Sequence, residues 1–519
     1  MLKNMGSAPC FFDISKNFVL TLAEATMLFF FQQKRQASGA VEFPTYDKER
    51  RRIMDCIKQV LDVIVAFTDW IWGIPMLVFL IGGGIYLTIR LRFIQFRKLP
   101  FILKNTIGKS LKPQSEGEGK FSGWQAAAGA LASTLGAGNI VGTAVAIALG
   151  GPGAVFWLWI AGLAACGIKF CEVTLCMMYR HKNEKGDWVG GPQYYLSEAT
   201  KLKWLGVGYA AVCMFSQFLA ASTQIGSGVD NLVSLGLPRM TCSIVLTILC
   251  ATVVVGGMKR LLHLSEKIVP LMSVLYMIGA FLVIALNIGN LPAVFVSIFS
   301  HAFTGHAVLG GFGGASVTAC IRWGICRGVY SNDAGTGTTT MTHAVAEANH
   351  PAQQGMWGVF EAFFDTLIVC TMTCLAILCS GVWTMEGVGS ASMTSAAFGM
   401  TLGFTGQILV VFCLLMFTFT TACAQIQFSS ECLGRFLGEA GMKYGKIVLL
   451  GLVFVGGIVG FTGLIRYVDF FSFLQIAFNT TGVLLASGQI VKVAEEYFAD
   501  TKKWETEKWP TWKEMEEKR

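Results

Sequence analysis

The chain has 519 residues, of which 54% are apolar and only 14% are charged, and its formal net charge is +8. Soluble globular proteins have about 25% charged residues, so this composition excludes a fully solvated surface and indicates a protein embedded in lipid. The basic residues cluster in loops, which fits membrane topology and argues against nucleic-acid binding. Most of the 16 cysteines lie in apolar runs without zinc-like CxxC spacing, so they act as small hydrophobic residues.

The first 60 residues are predicted to be an extension that is interfacial or disordered. Their apolar stretch, 18–31, is too short to span a bilayer, and no small-residue cleavage site follows it. The membrane domain is predicted over 61–495, followed by a charged cytoplasmic tail over 496–519.

Eleven stretches are long and apolar enough to cross about 30 Å of hydrocarbon as helices. They predict an all-α polytopic membrane protein surrounded by the lipid bilayer. The predicted spans are 64–89, 124–148, 153–179, 204–226, 240–257, 267–289, 312–346, 356–382, 402–424, 445–464 and 468–493.

The loops between these spans alternate in charge. Basic residues are concentrated between the first and second, third and fourth, fifth and sixth, and ninth and tenth spans, whereas the connections after the second, sixth and eighth have none. The positive-inside rule therefore places the basic loops and the C-terminus in the cytoplasm of a plasma (bacterial inner) membrane. Two features oppose this orientation: three arginines at 50–52 lie on the external side, and the seventh-to-eighth loop has no lysine or arginine.

Two of the predicted spans contain glycine-rich polar segments at mid-membrane depth. The second span contains Gly136-Ala137-Gly138-Asn139, and the seventh contains the segment 331–340 (SNDAGTGTTT). Glycine costs about 1 kcal/mol relative to alanine inside a helix, and unwound backbone is tolerated at this depth only in protein or beside a cavity. One such segment alone is more often a helix-packing face. Two at corresponding positions predict broken helices.

The breaks lie about two hundred residues apart, and each opens a block of five spans. The blocks are 124–289 and 308–495, and one extra helix precedes them. Because five is odd, the second block must be inverted relative to the first, which is the 5+5 architecture of many secondary transporters. Freed N–H groups suit a substrate carboxylate and freed carbonyls suit a cation, so the pattern predicts a small carboxylate-bearing solute coupled to Na⁺ or H⁺.

At these residues the chain resembles the alanine/glycine:cation symporter family (sodium:alanine symporter type), whose members have a LeuT-like core. The similar motifs are 84–97 (GIYLTIRLRFIQFR), 130–139 (ALASTLGAGN), 150–159 (GGPGAVFWLW) and 327–337 (RGVYSNDAGTG). The resemblance covers about residues 60 to 490. It implies a secondary symporter that couples Na⁺ influx to uptake of a small neutral amino acid by alternating access, with no organic cofactor.

The resemblance also implies where the ligands bind. Sodium is expected at the carbonyls of Ala132 and Leu135 and the hydroxyls of Thr420 and Thr421, although such threonines are more often bonded to their own helix. The substrate is expected between the two breaks. The candidate substrate-binding residues are Thr134, Gly136, Ala137, Gly138, Asn139, Gln224, Tyr330, Asn332, Gly335, Gly337 and Ala424.

Three positions depart from the family pattern in ways that affect the pocket. Ala137 replaces the usual threonine of the first break, Thr336 replaces a methionine of the second, and Ala424 replaces a tryptophan after the threonine pair. A pocket that lacks this aromatic ring and hydroxyl would fit a bulkier neutral amino acid than alanine or glycine. We treat the bulkier substrate as a hypothesis.

Ionisable residues inside the predicted spans are functional candidates. Glu172 is expected either to pair with Arg180 as a gate or to reach the interface as a snorkelling carboxylate. Asp365 is expected to pair with Arg327 or Arg322.

Three further residues flank or lie within the second break. Asp333 is expected to cap the half-helix that follows, with direct contact to an amine or cation as the alternative. His343 is more consistent with a structural donor to a neighbouring helix than with a proton relay. Tyr330 is expected to close over the substrate or to pack.

Other functional classes lack their sequence features. The sequence has neither an HExxH metal set nor a nucleophile with its base, which are the features that would indicate an enzyme. Gly108-Lys109-Ser110 lacks the upstream glycine of a phosphate-binding loop. No obligate protein partner is evident. Proton-coupled transport and an amino-acid sensor on the same fold remain the alternatives.

Overall fold

The computed structural model describes residues 63, 66–68, 70–110, 121–304, 316–390 and 392–510. The chain divides into two units, Met1–Phe67 and Thr68–Arg519. The predicted N-terminal extension, 1–60, lies outside the described residues, so the fold described below is that of the second unit.

The described residues of the second unit are almost entirely helical. Two predicted spans contain short π-helical segments, Gly138–Gly142 and Phe363–Cys370, and two 3₁₀ turns occur at Ile288–Asn290 and Val382–Thr384. In chain order the α-helices are α1 Ile74–Arg90, α2 Ile94–Arg97, α3 Leu99–Asn105, α4 Ile107–Ser110, α5 Gly123–Thr134, α6 Thr143–Gly150, α7 Gly153–Tyr179, α8 Pro192–Thr200, α9 Lys203–Ser234, α10 Arg239–Val254, α11 Gly257–Leu286, α12 Leu291–Thr304, α13 Val317–Asn332, α14 Thr340–His343, α15 Pro351–Ala362, α16 Thr371–Cys379, α17 Met393–Val459, α18 Phe461–Leu485, α19 Ser487–Ala499 and α20 Lys503–Thr506.

A short antiparallel hairpin follows α7. Its strands are β1 His181–Lys182 and β2 Trp188–Val189, with His181 opposite Val189. The side chain of Asn183 closes the turn by accepting hydrogen bonds from the amides of Lys185 and Asp187. The hairpin therefore adds little to an otherwise helical architecture.

Large apolar side chains cover one exposed face of α11. Leu271, Val274, Ile278 and Phe281 are each at least half exposed, and their spacing of three or four residues places them on one side of the helix. An apolar stripe of this kind is unfavourable in water and favourable in hydrocarbon. The structure therefore agrees with the lipid-embedded protein that the composition predicts.

Fewer helices of the described residues are long and apolar enough to span a membrane than the sequence predicts. Six helices in the described residues are long and apolar enough to cross a membrane, or seven if the bent pair formed by α5 and α6 counts as one span. The prediction of eleven is not confirmed, because α1 and α10 have only 17 and 16 residues and α17 contains two predicted spans. The 5+5 inverted arrangement likewise remains a prediction.

Several boundaries differ from those read from the sequence. The helices α8 and α12 lie in segments that the sequence analysis treated as connections. Helix α17 is bent at Gly403 and Gly438, whose φ angles of 67° and 68° are left-handed and suit glycine. The predicted start of the tail at 496 falls inside α19.

The first predicted break is present. Ser122 begins α5 with a capping box, and the helix ends at Thr134, after which Leu135 is extended. The π-helical segment Gly138–Gly142 then leads into α6, and the two halves differ in direction by 53°.

The second predicted break is also present, between α13 and α14. Asp333 ends α13 in a left-handed conformation with φ of 54°, and Gly335 and Gly337 have φ of 87° and 75°. Three positive φ angles within five residues cannot be accommodated in an α-helix. The chain therefore leaves the helical conformation at both predicted positions, but the half-helix predicted after the second break is only the four-residue α14.

Glycine allows α13 to approach α7 closely, and we expect Gly324→Ala to destabilise the protein. A Cβ at Gly324 would overlap the carbonyl oxygen of Ala154 and lie 2.8 Å from the Cβ of Trp157. Overpacking of this kind costs about 1–3 kcal/mol. The thermal melting temperature of the detergent-purified protein should fall, as measured by fluorescence-detected size exclusion. Gly82→Ala in α1 is the matched control, because a Cβ there meets nothing within 4 Å; an equal decrease in both variants would contradict the packing argument.

Candidate functional site

The two breaks touch each other at Gly138. A Cβ at this position would lie 3.3 Å from both the Cα of Ser331 and the Cδ1 of Tyr330. Any larger residue would push the second break away from the first. Gly138 and Tyr330, both candidate substrate residues, are thus brought together by the fold.

The side chain of Asn139 connects the two breaks. Its Nδ2 donates to Ser331 Oγ at 2.8 Å and to Asp365 Oδ1 at 2.7 Å, and its Oδ1 accepts from the amide of Gly136 at 2.9 Å. Ser331 Oγ in turn donates to Asp365 Oδ2 at 2.7 Å. Asp365, in the π-helical segment Phe363–Cys370, therefore holds one residue from each break.

Gln224 of α9 lies against the first break. Its Oε1 accepts from the amide of Ala137 at 3.0 Å, and a Cβ at Gly136 would lie 3.1 Å from the same oxygen. The amides of Gly136 and Ala137 are thus satisfied by the side chains of Asn139 and Gln224. A substrate carboxylate that binds these amides must compete with those two oxygens.

Three oxygens from the predicted sodium site converge. Thr421 Oγ1 lies 2.9 Å from the carbonyl oxygens of both Ala132 and Leu135, and its single proton can be donated to either of them. In a continuous helix the amides of Gly136 and Asn139 would bond these carbonyls, but the first donates to a side chain and the second to Gly136 O. The break therefore releases two carbonyls, and Thr421 is placed where both can reach it.

Other candidates in this region contact their own helices. Thr420 Oγ1 donates to the carbonyls of Met416 and Phe417, both at 3.1 Å, and Thr134 Oγ1 donates to Leu131 O at 3.4 Å. Ala424 is fully buried and belongs to the large apolar cluster that includes Ile225 and Val229 of α9. Among the described hydrogen bonds of the two threonine hydroxyls, those of Thr421 reach the first break and those of Thr420 do not.

The second break is held by polar side chains from neighbouring helices. Asn479 Nδ2 of α18 donates to Gly335 O at 2.8 Å, and Tyr209 OH of α9 donates to Thr336 O at 2.6 Å. Asn332 donates to Thr366 Oγ1 at 3.0 Å. These contacts satisfy backbone and side-chain groups that would otherwise be unpaired in the protein interior.

The two glycines of the second break are packed closely against other elements. A Cβ at Gly337 would lie 2.6 Å from Pro192 Cγ and 2.8 Å from Asn479 Oδ1, and one at Gly335 would lie 3.0 Å from Leu80 Cδ2. Their left-handed φ angles and this crowding both require glycine. Their evident role is to shape the break.

Asp333 contacts a side chain instead of the amides of the following half-helix. Its carboxylate accepts a hydrogen bond from the hydroxyl of Thr338, and its carbonyl accepts one from Thr336 Oγ1 at 2.8 Å. The predicted cap on the amides of the following half-helix is therefore wrong, and threonine hydroxyls are the donors to Asp333. One of them belongs to Thr336, which departs from the family pattern.

The predicted ion pair of Asp365 with Arg327 or Arg322 is wrong. Asp365 bonds Asn139, Ser331 and Thr366, while Arg327 lies 3.8 Å from Asp469 of α18. Sequence separation alone gave no information on which face of each helix these groups occupy.

Glu172 also differs from its predicted environment. It is fully buried, so it does not snorkel to an interface, and its Oε1 accepts from Asn479 Nδ2 at 2.6 Å. Arg180 donates to the carbonyls of Ala344 and Ala346. Glu172 lies in α7, whereas Arg180 follows the end of this helix in an extended conformation, and the two residues engage different neighbours.

The sequence analysis missed a buried ion pair beside the second break. Lys169 Nζ lies 3.0 Å from Glu361 Oε1 and donates to Thr339 Oγ1 at 2.7 Å. His343 bridges Glu361 Oε2, at 3.3 Å, and Gln354 Nε2, at 2.7 Å, which confirms its predicted role as a contact to a neighbouring helix. Charged residues inside apolar helices were the signal that could have identified this pair.

Comparisons with known proteins give matches over most of the chain. A model of the sodium:alanine symporter family matches residues 56–511. The uncharacterized transporter YflA of Bacillus subtilis is 37% identical over 445 residues, which cover 85% of this chain and 94% of the relative. The sodium/alanine symporter AgcS of Methanococcus maripaludis is 33% identical over 446 residues, which cover 84% of this chain and 97% of that protein.

A solved structure shows a similar fold at low sequence identity. The crystal structure of MhsT in complex with L-phenylalanine aligns with a TM-score of 0.51 and 16% identity, over 71% of this chain and 89% of that one. The likeness concerns the fold alone. The family match, the two relatives and the apolar helices show that this chain is a membrane transporter, and not an enzyme, and that it belongs to the sodium:alanine symporter family.

Proposed function

We propose that the protein is a secondary symporter that couples Na⁺ influx to uptake of a small neutral amino acid by alternating access. The single observation that carries this proposal is the convergence of Thr421 Oγ1 on the carbonyls of Ala132 and Leu135. Neutral, hard oxygen ligands of this kind suit Na⁺. The ligands belong to α5, the broken helix, and to α17, so a bound ion would join the two elements.

Binding of the ion requires a small local change. The Thr421 hydroxyl now donates its proton to one of the carbonyls, and it would turn this proton away so that an oxygen lone pair faces Na⁺. Thr420 is proposed as a further ligand, although its hydroxyl would then give up its bonds to Met416 and Phe417. Because both carbonyls are released only by the break, the site depends on α5 remaining unwound.

We place the amino acid between the two breaks. Its carboxylate would take the amides of Gly136 and Ala137 from Asn139 and Gln224, at the positive end of the half-helix that leads into α6. Tyr330 and Asn332 approach from the second break, and the remaining substrate candidates named above are proposed on the same basis. Alanine at 137 and 424 favours a bulkier neutral amino acid than alanine or glycine.

The proposed membrane orientation follows from the loops. Basic loops and the C-terminus would face the cytoplasm of a bacterial inner membrane, as the positive-inside rule requires.

A proton is the alternative coupling ion, and Asp365 favours it. This carboxylate is fully buried, and its hydrogen-bond partners among the described residues are neutral: Asn139, Ser331, Thr366. A buried carboxylate without a countercharge is costly, and a bound proton removes that cost. Because Asp365 contacts both breaks, its protonation would change how they are held together.

Reconstituted protein should accumulate labelled neutral amino acids when an inward Na⁺ gradient is imposed. The physical basis is that the ion stabilises the same unwound segment that supplies amides to the substrate. Uptake into proteoliposomes is measured with an Na⁺ gradient, with equal Na⁺ on both sides, and with a proton gradient alone. Uptake driven only by a proton gradient would identify H⁺, instead of Na⁺, as the coupling ion. If no amino acid is taken up under any of these conditions, the proposed function is overturned.

The same assay tests the substrate. Unlabelled leucine, methionine and glutamine should compete with the labelled amino acid at least as strongly as alanine and glycine. Competition by alanine and glycine alone would show that the pocket is no larger than that of the family.

Thr421→Ala should weaken Na⁺ binding by about tenfold to a hundredfold. An oxygen contact to a charged group contributes about 1.5–3 kcal/mol, and alanine removes it. The measurement is the Na⁺ concentration for half-maximal uptake. Thr421→Ser should retain near-normal affinity because it keeps the hydroxyl.

Thr418→Ala is the matched control for this variant. Thr418 is also a buried threonine of α17, but its hydroxyl donates to Leu414 O of its own helix at 2.8 Å. Its substitution should leave the Na⁺ dependence unchanged. Equal effects at 418 and 421 would contradict the assigned ion site.

Asp365→Asn should reduce uptake by roughly tenfold. The new side-chain NH₂ group would face either Asn139 Nδ2 or Ser331 Oγ, both of which donate to the carboxylate in the unmodified protein. An unsatisfied buried donor costs about 1–3 kcal/mol. Both Na⁺-driven and proton-driven uptake are measured. Loss of proton-driven uptake with Na⁺-driven uptake intact would favour the proton alternative.

Glu431→Gln in α17 is the control for this second variant. Its carboxylate also accepts from a neutral amide, Gln427 Nε2 at 2.7 Å, but it contacts neither break in the described hydrogen bonds. Uptake should be close to that of the unmodified protein. A decrease equal to that of Asp365→Asn would indicate a general effect of neutralising a carboxylate in the helical domain, since Glu431 is half-buried.

A further inference from the structure

We propose that a basic groove between the end of α1, α2 and α19 binds the headgroup of an anionic phospholipid. The groove encloses about 400 Å³ and is lined by Arg90, Arg92, Arg97 and Lys98, with Glu495 as its one acidic lining residue. It is separate from the residues of the two breaks and does not depend on the proposed symport.

The groove has a surplus of positive charge. Arg92 Nη2 pairs with Glu495 Oε1 at 2.8 Å, but Arg90 donates to the hydroxyl of Tyr86, and Arg97 donates to the backbone carbonyl of Arg92. Among the described residues, Arg90, Arg97 and Lys98 have no acidic group within 4.0 Å. Three cations therefore face a cavity whose one acidic lining residue, Glu495, already pairs with Arg92, and this surplus is the arrangement that an anion neutralises.

Other basic loop residues are paired differently. Lys185 Nζ lies 2.9 Å from Glu439, and Lys259 Nζ lies 3.5 Å from Asp187. The positive-inside rule accounts for basic residues in a loop, but it does not require three of them to converge on one cavity. The convergence is the feature that indicates a ligand.

The groove adjoins a surface suited to acyl chains. Helix α1 is an apolar helix of 17 residues that ends in Arg90, so the groove begins where the apolar surface of this helix stops. Ile85, Ile89, Phe93 and Phe96 are 52%, 56%, 48% and 52% exposed. Exposed apolar side chains beside basic ones match a molecule with an anionic headgroup and hydrocarbon chains, and an anionic phospholipid has both parts.

The backbone at the groove is shaped by an unusual turn. Arg92 and Phe93 have φ of 53° and 58°, a left-handed conformation that is uncommon for residues other than glycine. The turn separates α1 from α2 while leaving Leu91 and Ile94 buried. It thereby places basic side chains in the groove and leaves Phe93 exposed beside it.

A soluble anion is a less complete match than a lipid. Inorganic phosphate or a nucleotide would satisfy the cations but would leave the aromatic and aliphatic side chains beside them uncovered. Basic pockets next to membrane helices are known to bind lipid headgroups for the same electrostatic reason. The structure therefore favours a phospholipid of the surrounding bilayer.

Native mass spectrometry of the full chain in detergent tests this site with two probes, phosphatidylglycerol and phosphatidylcholine of identical acyl chains. Phosphatidylglycerol should bind more tightly. The triple variant Arg90→Gln/Arg97→Gln/Lys98→Gln should lose about a hundredfold in phosphatidylglycerol affinity, since each basic residue near an anionic lipid contributes about fivefold. Binding of phosphatidylcholine should not change.

The matched control removes the same charge elsewhere. Lys182→Gln/Lys203→Gln/Lys443→Gln alters three exposed lysines of other loops and should leave phosphatidylglycerol binding intact. If the groove triple variant fails to fold, Arg97→Gln alone, at an exposed position, should still lower affinity by about fivefold. Equal binding of the two lipids, or an equal loss in both triple variants, would overturn the proposal. Displacement of phosphatidylglycerol by millimolar inorganic phosphate would assign the site to a soluble anion instead.

Discussion

Backbone groups released inside a membrane helix must find partners, and this constraint explains the centre of the structure. The first break frees the carbonyls of Ala132 and Leu135 because the amides of Gly136 and Asn139 turn to other acceptors. Thr421 fills the position that those amides would have occupied. The same rearrangement that costs two helical hydrogen bonds thus creates the group of oxygens proposed to hold the ion.

The side chain of Asn139 is central to this arrangement. By accepting from Gly136 N it keeps Ala132 O free, and by donating to Ser331 and Asp365 it attaches the first break to the second. One residue therefore links the oxygens of the proposed ion site to the backbone proposed to meet the substrate. Hydrogen bonds of 2.7 to 2.9 Å therefore join the two breaks directly through this one side chain.

Features encoded by local composition were predictable from the sequence. Both breaks follow from glycine and polar residues in an apolar segment, and α7 begins and ends at the predicted residues 153 and 179. The predicted spans 402–424 and 445–464 fall on either side of Gly438, where the backbone of α17 is not helical. Helix α12 was missed because it lies in a connection without the length of a full span.

Side-chain pairing was much less predictable, for a physical reason. The choice of Asp469 over Asp365 as the neighbour of Arg327 depends on the rotation and relative height of α13, α15 and α18, none of which is encoded in one helix. The pair of Lys169 and Glu361 has the same origin. Motif resemblance could identify Gln224 as a site residue, but only the fold shows that its oxygen caps the amide of Ala137.

The two breaks are stabilised by different means, and this difference bears on how such a protein could change conformation. The first is held by side chains that a carboxylate or an ion could replace, whereas the second is held by Asn479 and Tyr209 on neighbouring helices. Glu172 bonds the same Asn479, and it does so from α7. A ligand at the first break would therefore exchange partners locally, while movement of the second break would have to carry both α9 and α18 with it or break two buried hydrogen bonds. Since an unsatisfied buried group costs about 1–3 kcal/mol, concerted movement of the second break with α9 and α18 is the less costly course.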